Sequence, residues 1–199
     1  MERALGVAAL ILLLGGCSQS AQSTSSPSPQ ATNPIGFPLY TPSTILRARP
    51  HEVIAESPAS MDQLDMWLQG LTANPPPGYA VAASGSSMDA AHTRAKAMGV
   101  EFQIFTHAID GKTHALVVVA LDPSTFEAKA GPILGLIDKY PMLPPILRDP
   151  IDQQAKERTG FTVSQALDPA QPIGAALAAV RAMRNSGERG VVLVDAARN

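Results

Sequence analysis

Val100–Leu121 reads VEFQIFTHAI-DG-KTHALVVVAL, and this stretch decides the fold. Two runs rich in β-branched and aromatic residues flank Asp110-Gly111. That dipeptide is a strong short-range hairpin signal, because a two-residue type I′ turn needs positive φ at both central positions. A two-residue loop fixes the register. Ile109 faces Lys112, Ala108 faces Thr113, His107 faces His114, Phe105 faces Leu116 and Gln103 faces Val118. One face of the hairpin then collects Val100, Phe102, Ile104, Ala115, Val117, Val119 and Leu121. It is almost wholly apolar and is expected to carry helices. The other face collects Glu101, Gln103, Phe105, His107, Lys112, His114, Leu116 and Val118. Its mixed character predicts a surface that is partly solvated or covered by a partner.

Upstream, Thr44–Arg49 and Glu52–Glu56 read as short strands, with Pro50 allowing a turn between them. Ser60 reads as an N-cap. Met61, Leu64, Trp67, Leu68 and Leu71 follow at helical spacing, so a helix is expected over 60–71, with Trp67 in the core. Tyr79–Ala83 reads as a strand. Ser86 and Ser87 are expected to cap a helix over 87–98 that Gly99 ends.

Downstream, Pro123 is placed to open a helix over 123–139. Shorter helices are expected near 145–158 and 163–168, although the prolines of 141–150 oppose a helix there. Ile173, Leu177, Val180 and Met183 mark a helix over 172–184. Gly190–Asp195 (GVVLVD) reads as a final, central strand. Helices and strands mix around an antiparallel hairpin, so the class is α+β. A two-layer sandwich is expected, with a largely antiparallel sheet, helices packed on one face and a ferredoxin-like flavour.

The composition agrees with one folded domain, here 35–199. Hydrophobic residues make up 45% of the 199 and charged residues 16%, too apolar a balance for a disordered chain. The net charge of −2 gives no electrostatic argument for nucleic acid as a partner. One cysteine allows no intrachain disulfide, so the core must hold the fold.

That cysteine has a particular setting. Ala4–Leu14 is an uninterrupted apolar run behind Arg3. It is about eleven residues long, whereas a spanning helix needs about 20. Such a run reads as the core of an export signal. Leu14-Gly15-Gly16-Cys17 follows, an aliphatic residue and two small ones before the cysteine. This resembles the lipobox of bacterial lipoproteins. The resemblance implies cleavage after residue 16, a diacylglyceryl group on the Cys17 sulfur and a lipid-anchored protein of the cell envelope. The apolar cost of extracting two or more acyl chains makes such an anchor stable. Ser18 in the next position implies the outer membrane where the envelope has two membranes; otherwise the outer face of the cytoplasmic membrane is expected. Residues 17–34 are then a lipidated tether. Ser18–Asn33 carries no aromatic residue and no charge, and cannot bury enough apolar surface to fold.

Catalytic signatures are sparse. Gly111-Lys112-Thr113 lacks the upstream glycine of a phosphate-binding loop, and no Gly-x-Ser-x-Gly elbow exists. Asp62/Asp65 and Asp149/Asp152 have helical spacing, which near helix N-termini reads as dipole complementation. His107 and His114 are the most specific pair. Directly opposed on a ladder, their Cβ atoms would lie about 5 Å apart, which can suit a shared transition metal. A third ligand is not evident, and two polar residues near a hairpin tip would look the same. No cofactor and no catalytic residue is therefore assigned. The leading expectation is a non-catalytic binding or assembly module that contacts another envelope protein or a small ligand through the mixed sheet face or the proline-rich 141–150 segment. A metal or enzymatic centre at His107/His114, and a purely structural lipoprotein, are the alternatives.

Overall fold

The computed structural model describes residues 33–83, 85–183 and 186–196. The expected export signal, Cys17 and nearly all of the expected tether lie outside these residues, as does position 184, the expected end of the last helix. Among the described residues, no helix is long and apolar enough to cross a membrane.

The elements run β1 (Thr44–Arg49), β2 (Glu52–Ser57), α1 (Met61–Ala73), β3 (Tyr79–Val81), α2 (Ser86–Ala97), β4 (Val100–Ile109), β5 (Lys112–Leu121), α3 (Pro123–Ile137), α4 (Pro145–Thr159), α5 (Val163–Leu167), α6 (Pro172–Ala182) and β6 (Arg189–Asp195). A 3-10 turn, Tyr140–Met142, joins α3 to α4. The six strands form one sheet in the order β1-β2-β6-β5-β4-β3, every ladder antiparallel. The class is α+β. The β4–β5 register is the expected one at every pair, from Ile109↔Lys112 to Val100↔Leu121. Asp110 and Gly111 have φ of 50° and 74°, as a type I′ turn requires.

β6 lies at the centre because its run is apolar on both sides. Val192 and Val194 join the core under α2–α6, while Val191 and Leu193 face the opposite core. The layer arrangement therefore corrects the expectation of helices on one face. The second face is covered as well, by α1 through Leu64 and Leu68 and by the entering segment through Ile35 and Phe37. The hairpin's mixed face is buried where it matters: Phe105, Leu116 and Val118 are fully buried. Their apolar bodies demand a cover, and the amphipathic α1 supplies it.

The ferredoxin-like expectation is refined too. A split βαβ of that kind would set β5 and β6 parallel through one crossover helix. Here α3–α6 intervene and β6 returns antiparallel to β5.

Local chemistry explains the boundaries. Ser60 and Gln63 form a reciprocal capping box at α1. Asp122 accepts from the Ser124 and Thr125 N–H groups at the start of α3. Gly99 ends α2 with φ of 73°, and a Cβ there would lie 2.8 Å from Thr125 Cβ, so both conformation and space require glycine. Two details differ from the sequence reading. Gly85, not Ser86 or Ser87, is the N-cap of α2, with no side-chain cap. Pro150 lies inside α4 rather than ending it.

Candidate functional site

The proline-rich segment builds a rigid knuckle. Pro141 sits at the start of the 3-10 turn, and Pro144 and Pro145 lead into α4. Each proline fixes φ, which removes conformational freedom from the unfolded chain. No capping side chain serves the start of α4. Instead Arg148 folds back. Its Nε donates to the Leu143 carbonyl and its Nη2 to the Pro141 carbonyl, both at 2.9 Å. The same guanidinium lies over the Tyr140 ring, 5.8 Å from its centre.

Tyr140 is the inward root of the knuckle and is buried. Its hydroxyl donates to Asp152 Oδ2 at 2.7 Å and meets Ser164 Oγ at 2.8 Å. Ser164 closes the triangle, donating Oγ to Asp152 Oδ2 at 2.6 Å and its N–H to Oδ1 at 3.2 Å. One carboxylate thus ties the turn, α4 and α5 together. Burial pushes the Tyr140 hydroxyl above its usual range, and its hydrogen bond to Asp152 with the nearby negative charge adds to this, against the opposing effect of the adjacent Ser164 hydroxyl. Burial alone would raise Asp152, but the bonds from Ser164, Tyr140 and the backbone at Ser164 and Val163 hold it below the ordinary carboxylate range. The three bonds that meet on this carboxylate make the triangle a fastening.

Outward, the knuckle presents apolar side chains. Met142 is 81% exposed, Ile146 80% and Leu147 49%. Leu143 and Ile151 turn the other way, onto the core under α2–α6. Tertiary burial therefore does not explain Met142 and Ile146.

The histidine pair has a different fate. His107 and His114 are opposed on the β4–β5 ladder, with ring centres 6.2 Å apart. The partner of His107 is Asp195, its Nε2 lying 3.0 Å from Oδ1. Tyr79, opposite His107 on β3, lies with its ring centre 5.1 Å away. Phe37 packs edge-on against Tyr79 and beside Phe105. Both members of the His107–Asp195 pair are nearly closed to solvent. Among the described residues, no group of three His, Cys, Asp or Glu side chains could hold a metal ion. His51 and His92 are elsewhere: the His51 carbonyl accepts the Asp195 N–H, and His92 stacks on Phe102.

Two residues of consequence escaped the sequence reading. Asp152 has the spacing of a helix-dipole residue, yet it is the hub of the fastening. Asp195 ends an apolar strand and pairs across β5 to β4, which only the sheet order reveals. Arg181 pairs with Asp138. Trp67 packs with Tyr40 at the edge of the second core. No protein-family model matches this chain, and no curated protein or solved structure matches it either.

Proposed function

We propose that the protein is a lipid-anchored envelope lipoprotein whose domain is a non-catalytic assembly module, docking its knuckle into an apolar pocket of another envelope protein. The exposure of Met142 and Ile146 on a fastened scaffold carries this reading. Clustered exposed apolar groups mark interaction sites, and methionine is enriched at interfaces. Burying the exposed parts of Met142, Ile146 and Leu147 would contribute about 4 kcal/mol before the costs of association. The fastening lowers one of those costs, because the side chains project from a segment already ordered.

A protein pocket fits better than a bilayer surface. Asp138 and Asp149 accompany Lys139 and Arg148 in the same stretch, so no net positive charge is offered to anionic headgroups. The lipobox-like Leu14–Cys17 and the polar tether support anchoring: about 16 residues give a reach of about 20–25 Å, enough to lift the domain from the headgroups. The compartment would be the outer membrane of a two-membrane envelope, or else the outer face of the cytoplasmic membrane. The open mixed sheet face is no longer part of the reading, since α1 and Ile35–Tyr40 cover it.

The test is Met142→Asp and Ile146→Asp in the full chain, purified from chemically cross-linked membranes. The wild type should carry one defined protein adduct. Both variants should lose it while keeping the wild-type melting temperature, and Lys112→Asp at the hairpin tip should keep it. Retention of the adduct by both knuckle variants would overturn the docking surface. A wild type with no adduct would favour the purely structural alternative.

A further inference from the structure

At the opposite end of α4 from the knuckle, α2, α3 and α4 border an open groove of about 800 Å³. Its walls carry Arg94 from α2, Lys129 from α3 and Lys156 from α4, against one lining carboxylate, Glu157. Among the described residues, ion pairs engage Arg47, Lys96, Arg181 and Arg189, but none engages Arg94, Lys129 or Lys156. Glu157 has its own donor, Gln153 Nε2 at 3.2 Å. A chain of net charge −2 thus gathers three cations against one carboxylate in one concavity, with none of the three cations held in an ion pair among the described residues. An excess of positive charge in a concavity raises the local concentration of anions there.

Arg94 is also positioned. Its stem lies on Gly160, where a Cβ would come within 2.1 Å of Arg94 Cδ. Its guanidinium sits 5.9 Å above the Phe161 ring centre. Gly160 is therefore required twice, for its φ of 80° and for the passage of Arg94. Ala90, Ala97 and Met98 supply a shallow apolar lining beside the cations.

We propose that this groove binds a phosphate ester, its dianionic headgroup on Arg94, Lys129 and Lys156 and its apolar part against Ala90, Ala97 and Met98. Three cations, one of them a planar guanidinium fork, match a phosphate better than a single carboxylate. The site is independent of the knuckle. The ester is either a soluble metabolite or a lipid headgroup, and two probes separate these sources.

Calorimetric titration of the full chain in a nonionic detergent, with glycerol 3-phosphate and with dihexanoyl phosphatidic acid, tests the assignment. Saturable binding is expected that weakens about tenfold or more in Lys129→Glu/Lys156→Glu. It should also weaken between about 0.05 and 0.5 M salt, as screening shortens the reach of exposed charges. Both lysines are exposed, so the double variant should melt with the wild type; Arg94→Lys, which keeps the charge and loses the fork, gives a second reading through an intermediate loss. Equal binding of both probes indicates a soluble ester. Binding of the lipid alone indicates a headgroup held with its acyl stubs on the alanine lining. No binding of either probe, or binding unchanged in the double variant, overturns the proposal.

Discussion

Asp152→Ala should loosen the knuckle without dissolving the domain. The carboxylate accepts the Tyr140 hydroxyl at 2.7 Å, the Ser164 hydroxyl at 2.6 Å and the Ser164 N–H at 3.2 Å. Hydrogen bonds to a charged group are each worth about 1.5–3 kcal/mol when buried. Ser164 is exposed and water can replace what it loses, so the buried Tyr140 bond dominates. A total of about 2–4 kcal/mol follows. For a domain of this size each kcal/mol moves the melting temperature by about 2–4 °C, so a fall of about 4–16 °C is expected. Urea denaturation followed by Trp67 fluorescence gives the free energy directly. Tyr140→Phe should cost less, about 1–2 kcal/mol, because Ser164 keeps its own bonds to Asp152. The double variant should cost less than the two single variants added together, because they share one interaction. An Asp152→Ala protein within 0.5 kcal/mol of the wild type, or strictly additive effects, would refute the fastening.

Acid should act through the same group. The folded protein holds Asp152 below its unfolded value, so its contribution is present above about pH 4 and is lost as pH falls through the folded value. Asp122, also lowered, by bonds from Ser124 and Thr125 and the charge of Arg189 that outweigh burial, should add to this loss; urea midpoints from pH 7 to pH 2.5 check it, and Asp152→Asn should flatten the profile. His107→Ala should cost about 1–3 kcal/mol, since it removes a partner of a buried carboxylate, and the loss should not depend on added zinc. Zinc-dependent stability of the wild type would restore the metal alternative. Phe37→Ala, a fully buried ring against Tyr79 and Phe105, should cost about 3–5 kcal/mol by chemical denaturation, showing that the entering segment belongs to the second core.

The hairpin was legible because local rules specify it. Asp110-Gly111 selects a turn, the turn sets a register, and the register assigns each side chain to a face. The start of α1 was equally readable from Ser60 as its N-cap. The cover on the second face was not, because no short-range rule states which amphipathic helix crosses to which side. Phe105, Leu116 and Val118 signalled that a cover was needed; α1 and Phe37 are separated from them by long stretches of chain. The fastening was hidden for a related reason. Asp152, Tyr140 and Ser164 are far apart in sequence, and each alone has an ordinary reading. The prolines of 141–150 suggested disruption, whereas in the fold they stiffen the turn, with Pro150 accommodated inside α4 and Arg148 meeting the turn's carbonyls. Arg94, Lys129 and Lys156 form a patch only once α2, α3 and α4 are packed.

A photoreactive amino acid placed in turn at Ile146 and at His114, followed by irradiation of intact cells, tests the proposed docking surface. An adduct with one defined protein from position 146, and none from position 114 on the covered sheet face, is the expected result. A protein adduct from 114 with none from 146 would contradict the account and return the interaction to the sheet.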